Sequence, residues 1–312
     1  MRGGHTVQAE VDTAAALTDL NKHLESPLSR EEALASSQKA LSTAIDLHSL
    51  HSQTQTLPDQ SIRDRARLHS VGLPGAGDWL NAIPSKALGL HLRPKEFTVS
   101  VQYRLGLKVF PEEGPCPACK AHSDSLGDHA LGCAGDGERI ARHNHLRDSL
   151  YQTARQAGLG PTREEGGILQ DSGERPGDIY IPLWTKGLDT ALDVTVVSPL
   201  QAALVRKAAQ EPGSAAEAAH QRKMTNYHAA CKEAGVEFIP LALETLGGWH
   251  PTARETIKRL GQQLARQVSR EEAETVRHIN QRLSILLMRG NAALVLSRTP
   301  TFPTPEVDGD LE

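Results

Sequence analysis

Three cysteines and one histidine, Cys116, Cys119, His129 and Cys133, fall within eighteen residues and constrain the fold of this chain more than any other stretch. The segment around them carries Gly127, Gly132, Gly135 and Gly137 and few apolar residues, so burial alone gives it little to fold around. A bound ion is the alternative source of folding free energy. Thiolates and imidazole suit zinc in a tetrahedral array, and the two-residue gap after Cys116 lets one turn present two sulfurs. The spacing predicts a closed zinc knuckle with these four ligands. His122 is the rival fourth ligand, although it stands very close to Cys119. The blander alternative is three unrelated thiols in a polar loop. Cys231 lies far away on an expected helix and reads as a small, half-buried residue.

A second constraint follows downstream. Residues 179–183 and 191–197 alternate apolar and polar, separated by a segment containing Gly187, which is a β-hairpin signal. If Asp178 pairs with Thr195 and Tyr180 with Asp193, then Ile179, Ile181 and Leu183 share one face with Leu192, Val194 and Val196. The register that buries those aliphatics projects Asp178 and Asp193 together on the other face. Neighbouring carboxylates repel unless a cation lies between them, and magnesium is the natural candidate. The alternative is that both face water on the open side of the sheet.

The rest of the chain supports these two features. Aromatic residues make up 4% of the sequence, so small Ala- and Leu-rich helical cores are expected. No run of apolar residues suits a membrane span or a secretory leader, and the expectation is an intracellular protein, nuclear in a eukaryote, with no membrane partner. The net charge of -4 hides an asymmetry. Residues 111–200 hold 8 Lys/Arg against 14 Asp/Glu, and residues 201–300 hold 14 against 9, so an acidic middle precedes a basic segment suited to phosphate. No Asp-Asp dipeptide occurs, which argues against a polymerase site in this chain.

Ser29 to Glu32 forms a capping-box pattern and predicts a helix over 30–51, on which His48 and His51 read as surface residues. Residues 96–101 read as a strand or a helix start. Further helices are expected over 142–157, from Leu200 to Ala234 with a break near Pro212, and from Pro251. A first strand at 166–169 follows Glu164 and Glu165, and another covers 236–243. Ser269 to Glu272 forms a second capping box, opening a docking helix, and the tail from Thr299 reads as disordered. On the helix expected up to Ala234, Lys223 and Tyr227 stand four apart and share a face; the lysine could meet phosphate or simply be solvated. His143, Asn144 and His145 could likewise reach a phosphate or remain solvated. The layout suits an α/β core.

The knuckle, then Arg142-His143-Asn144, then Arg175-Pro176-Gly177-Asp178, then Asp193, then Lys223 to Tyr227, resembles the C-terminal part of non-LTR retrotransposon proteins that carry a restriction-like endonuclease. The resemblance spans roughly residues 111–250, and weaker motifs over 74–110 resemble the region after the polymerase. It implies a restriction-endonuclease-like core of the PD-(D/E)xK superfamily: a helix, a mixed sheet containing the hairpin, a second helix and a further strand. The implied organisation is a helical extension over 1–110, the knuckle over 111–141, the nuclease over 142–262, the docking helix over 263–298 and the tail over 299–312.

The implied activity is divalent-metal-dependent nicking of target DNA by a retrotransposon-derived fragment, with RNA as a further partner. Asp178 and Asp193 would hold magnesium, Glu164 or Glu165 would be the additional acid, and Lys223 with Tyr227 would match the displaced lysine and tyrosine. Cys116, Cys119, His129 and Cys133 would hold structural zinc. Two positions depart from the pattern. Gly177 intervenes between Pro176 and Asp178, and Thr195 stands where much of the superfamily has lysine. The second departure motivates a rival expectation, a decayed nuclease that binds nucleic acid without cutting it. A zinc-stabilised scaffold that binds protein is a third.

Overall fold

A computed structural model describes residues 4–135, 137–163, 165–166, 169 and 175–299. The chain divides into two compact units, Met1–Ser61 and Ile62–Glu312. In the first, α1 (Gly4–Asn21) is followed by α2 (Arg30–Ala35) and α3 (Gln38–Thr56). The capping box forms as expected, with Glu32 N–H donating to Ser29 Oγ at 3.2 Å and Ser29 N–H to Glu32 Oε2 at 2.8 Å. The single helix expected over 30–51 is instead two. Ser36 is extended, and the Ser37 hydroxyl accepts the Ala40 amide at 3.2 Å, opening a new helix. His51 meets Gln55 and Glu25 on the surface of this unit.

The second unit runs α4 (Ile62–Val71), a 3-10 turn (Asp78–Asn81), α5 (Pro94–Leu105), the short strands β1 (Gly114–Pro115) and β2 (His122–Ser123), α6 (Asp128–Gly132) and α7 (Glu138–Gln156). It continues with β3 (Thr162–Arg163), β4 (Ile179–Thr185), β5 (Leu188–Val197), α8 (Val205–Ala208), α9 (Ser214–Glu233), β6 (Val236–Glu244), α10 (Pro251–Gln267) and α11 (Glu272–Ser297). Residues 96–101, open between strand and helix in the sequence, lie within α5, where Pro94 occupies the first turn and Glu96 caps it. The first strand of the larger sheet is β3 (Thr162–Arg163); of the segment 166–169 expected to form it, Gly167 and Ile168 lie outside the described residues, as does the tail beyond Thr299. No described helix is long and apolar enough to cross a membrane.

The larger sheet has the order β3-β4-β5-β6, antiparallel except for the parallel β5-β6 pair joined through α8 and α9. One face packs Ile179, Ile181, Leu192, Val194, Ile239, Leu241 and Leu243 against α7, α10 and α11. On the other face, Ala191 and Phe238 meet Cys231, Met224 and Tyr227 of α9, and Ala242 meets Ala215, Ala216 and Ala219. The helix–sheet–helix layering follows from the sequence of β6, which is apolar on both faces because helices cover both. Helix α11, the expected docking helix, packs deeply. Leu283, Leu287 and Ile279 lie in the main core, and Ala292, Leu294 and Val295 join α5 and α6 in a second cluster. Its N-cap is Glu271, whose carboxylate takes the amides of Ala273 and Glu274, whereas Ser269 of the expected capping box adopts a positive φ of 53° in the preceding turn.

The hairpin register departs from the expected one in an informative way. Near the turn, Thr185 pairs with Leu188 as that register requires, closed by Lys186 and Gly187, both at positive φ. Between Ile181 and Thr185 strand β4 bulges at Pro182-Leu183, and beyond it Ile181 pairs with Thr190 and Tyr180 with Ala191 instead of Asp193. Pro182 has no N–H to give the ladder, and Leu183, expected in the core, is 70% exposed at φ 52°. A two-residue slip keeps every other side chain on its expected face.

Candidate active site and metal centre

The slip brings Asp178 alongside Asp193. The Asp178 N–H donates to Leu192 O at 2.8 Å, and its Oδ2 accepts the Val194 N–H at 2.6 Å, so its carboxylate is tied to β5 on either side of Asp193. Gly177 makes this approach possible. A Cβ there would stand 3.0 Å from Ala191 Cβ and 3.1 Å from Leu192 O, so Gly177 is a close-packing position.

Each carboxylate receives a basic side chain from a flanking helix. His143 Nε2 of α7 lies 3.1 Å from Asp178 Oδ1, and Lys223 Nζ of α9 lies 2.9 Å from Asp193 Oδ1. Thr195 Oγ1 donates to Asp193 Oδ2 at 3.0 Å. Burial raises the pKa of Asp193, Lys223 opposes that and the charge of Asp178 adds to it, with the net shift upward. The bond to Asp178 raises the pKa of His143 against the opposing effect of burial. These groups line an open cleft of about 440 Å³ with Ala134, Arg139, Ile140 and Arg142.

The remaining sequence candidates fall as follows. Glu164 lies outside the described residues. Glu165 is not among the residues lining the cleft; its charge acts on Tyr180, whose phenol is pushed up to about 12 by burial, by its bond to Asp189 and by Glu165. Tyr227 packs on Phe238 at 5.6 Å between centroids, with Lys223 Nζ 5.6 Å from its own ring centre. Arg139 carries no expectation from the sequence, although its spacing of one helical turn from His143, i and i+4, places both on one face of α7.

Next to this cleft, the four ligand atoms of Cys116, Cys119, His129 and Cys133 all lie within 4.8 Å of one another, and this is the one cluster of three or more such donors among the described residues. Cys116 and Cys133 sulfurs are 3.8 Å apart, and Cys119 Sγ lies 3.3 Å from His129 Nε2. A tetrahedral zinc with Zn–S near 2.3 Å spaces two sulfurs at about 3.8 Å, so the donors fit such an ion. His122 is turned to Glu113 at 3.2 Å. The Asp124 carboxylate accepts the amides of Leu126, Asp128 and His129 and so fixes the short helix α6 that presents His129. Arg63 holds Asp128 from α4 through bonds of 2.6 and 2.9 Å. Burial raises the Cys133 thiol, but Arg298 and the Gly135 amide outweigh it and the net shift is downward. Arg298, fully buried at the end of α11, also pairs with Glu138 at 3.3 Å, linking the knuckle to the start of α7. No protein-family model matches the chain, and no curated protein matches it in sequence.

Proposed function

We propose that this protein is a divalent-metal-dependent endonuclease that nicks DNA, with the knuckle ligands holding a structural zinc. The observation that carries the reading is the pair Asp178 and Asp193, brought side by side where β4 begins alongside β5, with a lysine and a histidine converging on them in an open cleft. The run α7, β3, β4, β5, α8, α9, β6 supports the reading, since the resemblance stated above implies a helix, a mixed sheet containing the hairpin, a second helix and a further strand.

The donor set suits a hard cation. Both groups are carboxylates, the deeper of the two is destabilised in its charged form by burial and by its neighbour, and a divalent charge would relieve both effects. Magnesium held by Asp178 and Asp193 would polarise the scissile phosphate and lower the pKa of the attacking water. Lys223 answers the departure at Thr195. Its ammonium reaches Asp193 from α9, supplying from a helix the positive charge that lysine at position 195 would have supplied from the strand, and it is placed to stabilise charge growing on the phosphate. Thr195 orients Asp193 through its hydroxyl, and His143 orients Asp178. The departing 3′-oxygen takes its proton from water.

The test is conversion of supercoiled plasmid to the open circle by the full chain, with magnesium and with chelator. Nicking that requires the metal and is lost in Asp193→Ala supports the reading. Equal nicking by Asp193→Ala contradicts it, and salt-sensitive DNA binding without nicking would favour the decayed module instead.

A further inference from the structure

Arg142 occupies the wall of the same cleft, yet it is 3% exposed and has no carboxylate partner among the described residues. Its Nη1 donates to Asn291 Oδ1 at 2.8 Å, while its Nε is buried without a hydrogen-bond partner. Burial pulls its pKa down to about 10, helped by the positive charges of Arg139 and Arg298 and resisted by Tyr103. A buried guanidinium beside two like charges is a destabilising arrangement, and an apolar residue of the same length would fill the space at lower cost.

The position is nonetheless built to hold it. Gly290 of α11 faces the Arg142 stem, and a Cβ there would stand 2.5 Å from Arg142 Cγ. Asn291 Nδ2 donates to Thr245 O at 2.7 Å, which turns its Oδ1 towards Arg142 and fixes one arm of the fork. Arg139, one helical turn earlier, is exposed on the same cleft wall and is tied to Gly132 O at 3.1 Å. Two guanidinium groups at i and i+3 therefore flank a space whose other residues include the aspartate pair and Lys223.

We propose that Arg142, assisted by Arg139, is an anion subsite that takes a phosphate group in the cleft beside Asp178 and Asp193. The Nε that lacks a partner and the remaining fork suit the oxygens of a tetrahedral phosphate, whose charge offsets the burial of the guanidinium. This inference rests on the nuclease reading for one point only, that the phosphate belongs to a nucleic-acid backbone and not to a free phosphate ion.

The test uses the full chain, inorganic phosphate and a short labelled DNA duplex without divalent metal. Phosphate is expected to raise the melting temperature of the wild type, and the shift is expected to disappear in Arg142→Met and to shrink in Arg139→Met, whose exposed position leaves folding intact. Without phosphate, Arg142→Met is expected to melt at or above the wild type, since it removes a buried charge lacking a partner. Duplex affinity is expected to fall about tenfold in Arg142→Met, with the salt dependence reduced by about one counterion. Loss of the phosphate shift with unchanged duplex affinity supports the subsite with free phosphate as its ligand. A phosphate shift that is wild-type in both variants overturns the subsite, as does Arg142→Met melting below the wild type while keeping its phosphate shift. Phosphate binding through Arg142 by a chain that never nicks DNA sinks the nuclease reading and leaves the subsite standing.

Discussion

On the proposed nuclease reading, Lys223 decides whether the acidic pair does chemistry. It is partly exposed and reaches a buried Asp193, so its removal leaves a carboxylate in a poor environment as well as withdrawing positive charge from the phosphate. Lys223→Met is expected to lower the nicking rate by about 10²-fold with little change in duplex affinity, measured as rate and anisotropy on the same preparation. An equal loss of rate and affinity would make Lys223 a binding group instead. At this scale much was legible. Alternation assigned Asp178 and Asp193 to one face, and the spacing of Lys223 and Tyr227 put both on one side of α9. What alternation could not supply was the two-residue slip at Pro182-Leu183, because a bulge changes pairing without changing face. The bond from His143 to Asp178 was equally hidden, since it joins residues thirty-five apart in sequence, from α7 to the start of β4.

Helix α9 sets where Lys223 points, and its own position depends on β6. Gly213 at its N-cap provides no side chain, and the buried Glu244 at the end of β6 accepts the Ala216 amide at 3.3 Å in its place. The same carboxylate accepts the Ser70 hydroxyl of α4 at 2.5 Å. Burial raises the pKa of Glu244; the Ser70 hydroxyl and the amides of Ala215 and Ala216 oppose it without cancelling it. The folded protein therefore holds this proton to higher pH than the unfolded chain. Stability from this group is full below the ordinary glutamate range near 4.5 and declines as pH rises through the raised folded value. Glu244→Gln, which retains an oxygen for the amides and an N–H for Ser70, is expected to flatten that decline and to be more stable than the wild type at pH 8. Urea midpoints at pH 5 and pH 8 check this, and a variant that loses stability equally at both would show that the helix cap outweighs burial. Elements such as α10 and β6 were legible from apolar patterning, whereas the break at Ser36-Ser37 and the Glu271 cap were not, because side-chain capping competes with helix continuation over single residues.

At the scale of the second unit, the knuckle and the cleft are neighbours in space as well as in sequence. Cys133 ends α6, Ala134 lines the cleft, and α7 begins four residues after Ala134 and carries Arg139, Arg142 and His143 into it. Arg298 from the far end of α11 closes this arrangement onto Cys133 and Glu138. The knuckle thus has a structural reason to precede the acidic pair: it fixes the first turns of the helix that supplies the basic wall. The four clustered donors were readable from spacing because one tight turn presents the Cys116 and Cys119 sulfurs and a short helix brings His129 and Cys133 beside them. The role of α11 was not, since an apolar stripe says that a helix packs without saying against what.

Nicking by Asp178 and Asp193 is tested most directly by the rate of plasmid opening under magnesium for the wild type and Asp178→Asn, with DNA affinity measured on both proteins at one salt concentration. The asparagine keeps the shape of the side chain and an oxygen for the Val194 amide while removing the charge. The expected result is a loss of at least about 10³-fold in rate with affinity unchanged or slightly higher, since one negative charge is gone from the cleft proposed to take DNA. Opening at the wild-type rate by Asp178→Asn would contradict the assignment of the cleft as a nuclease site.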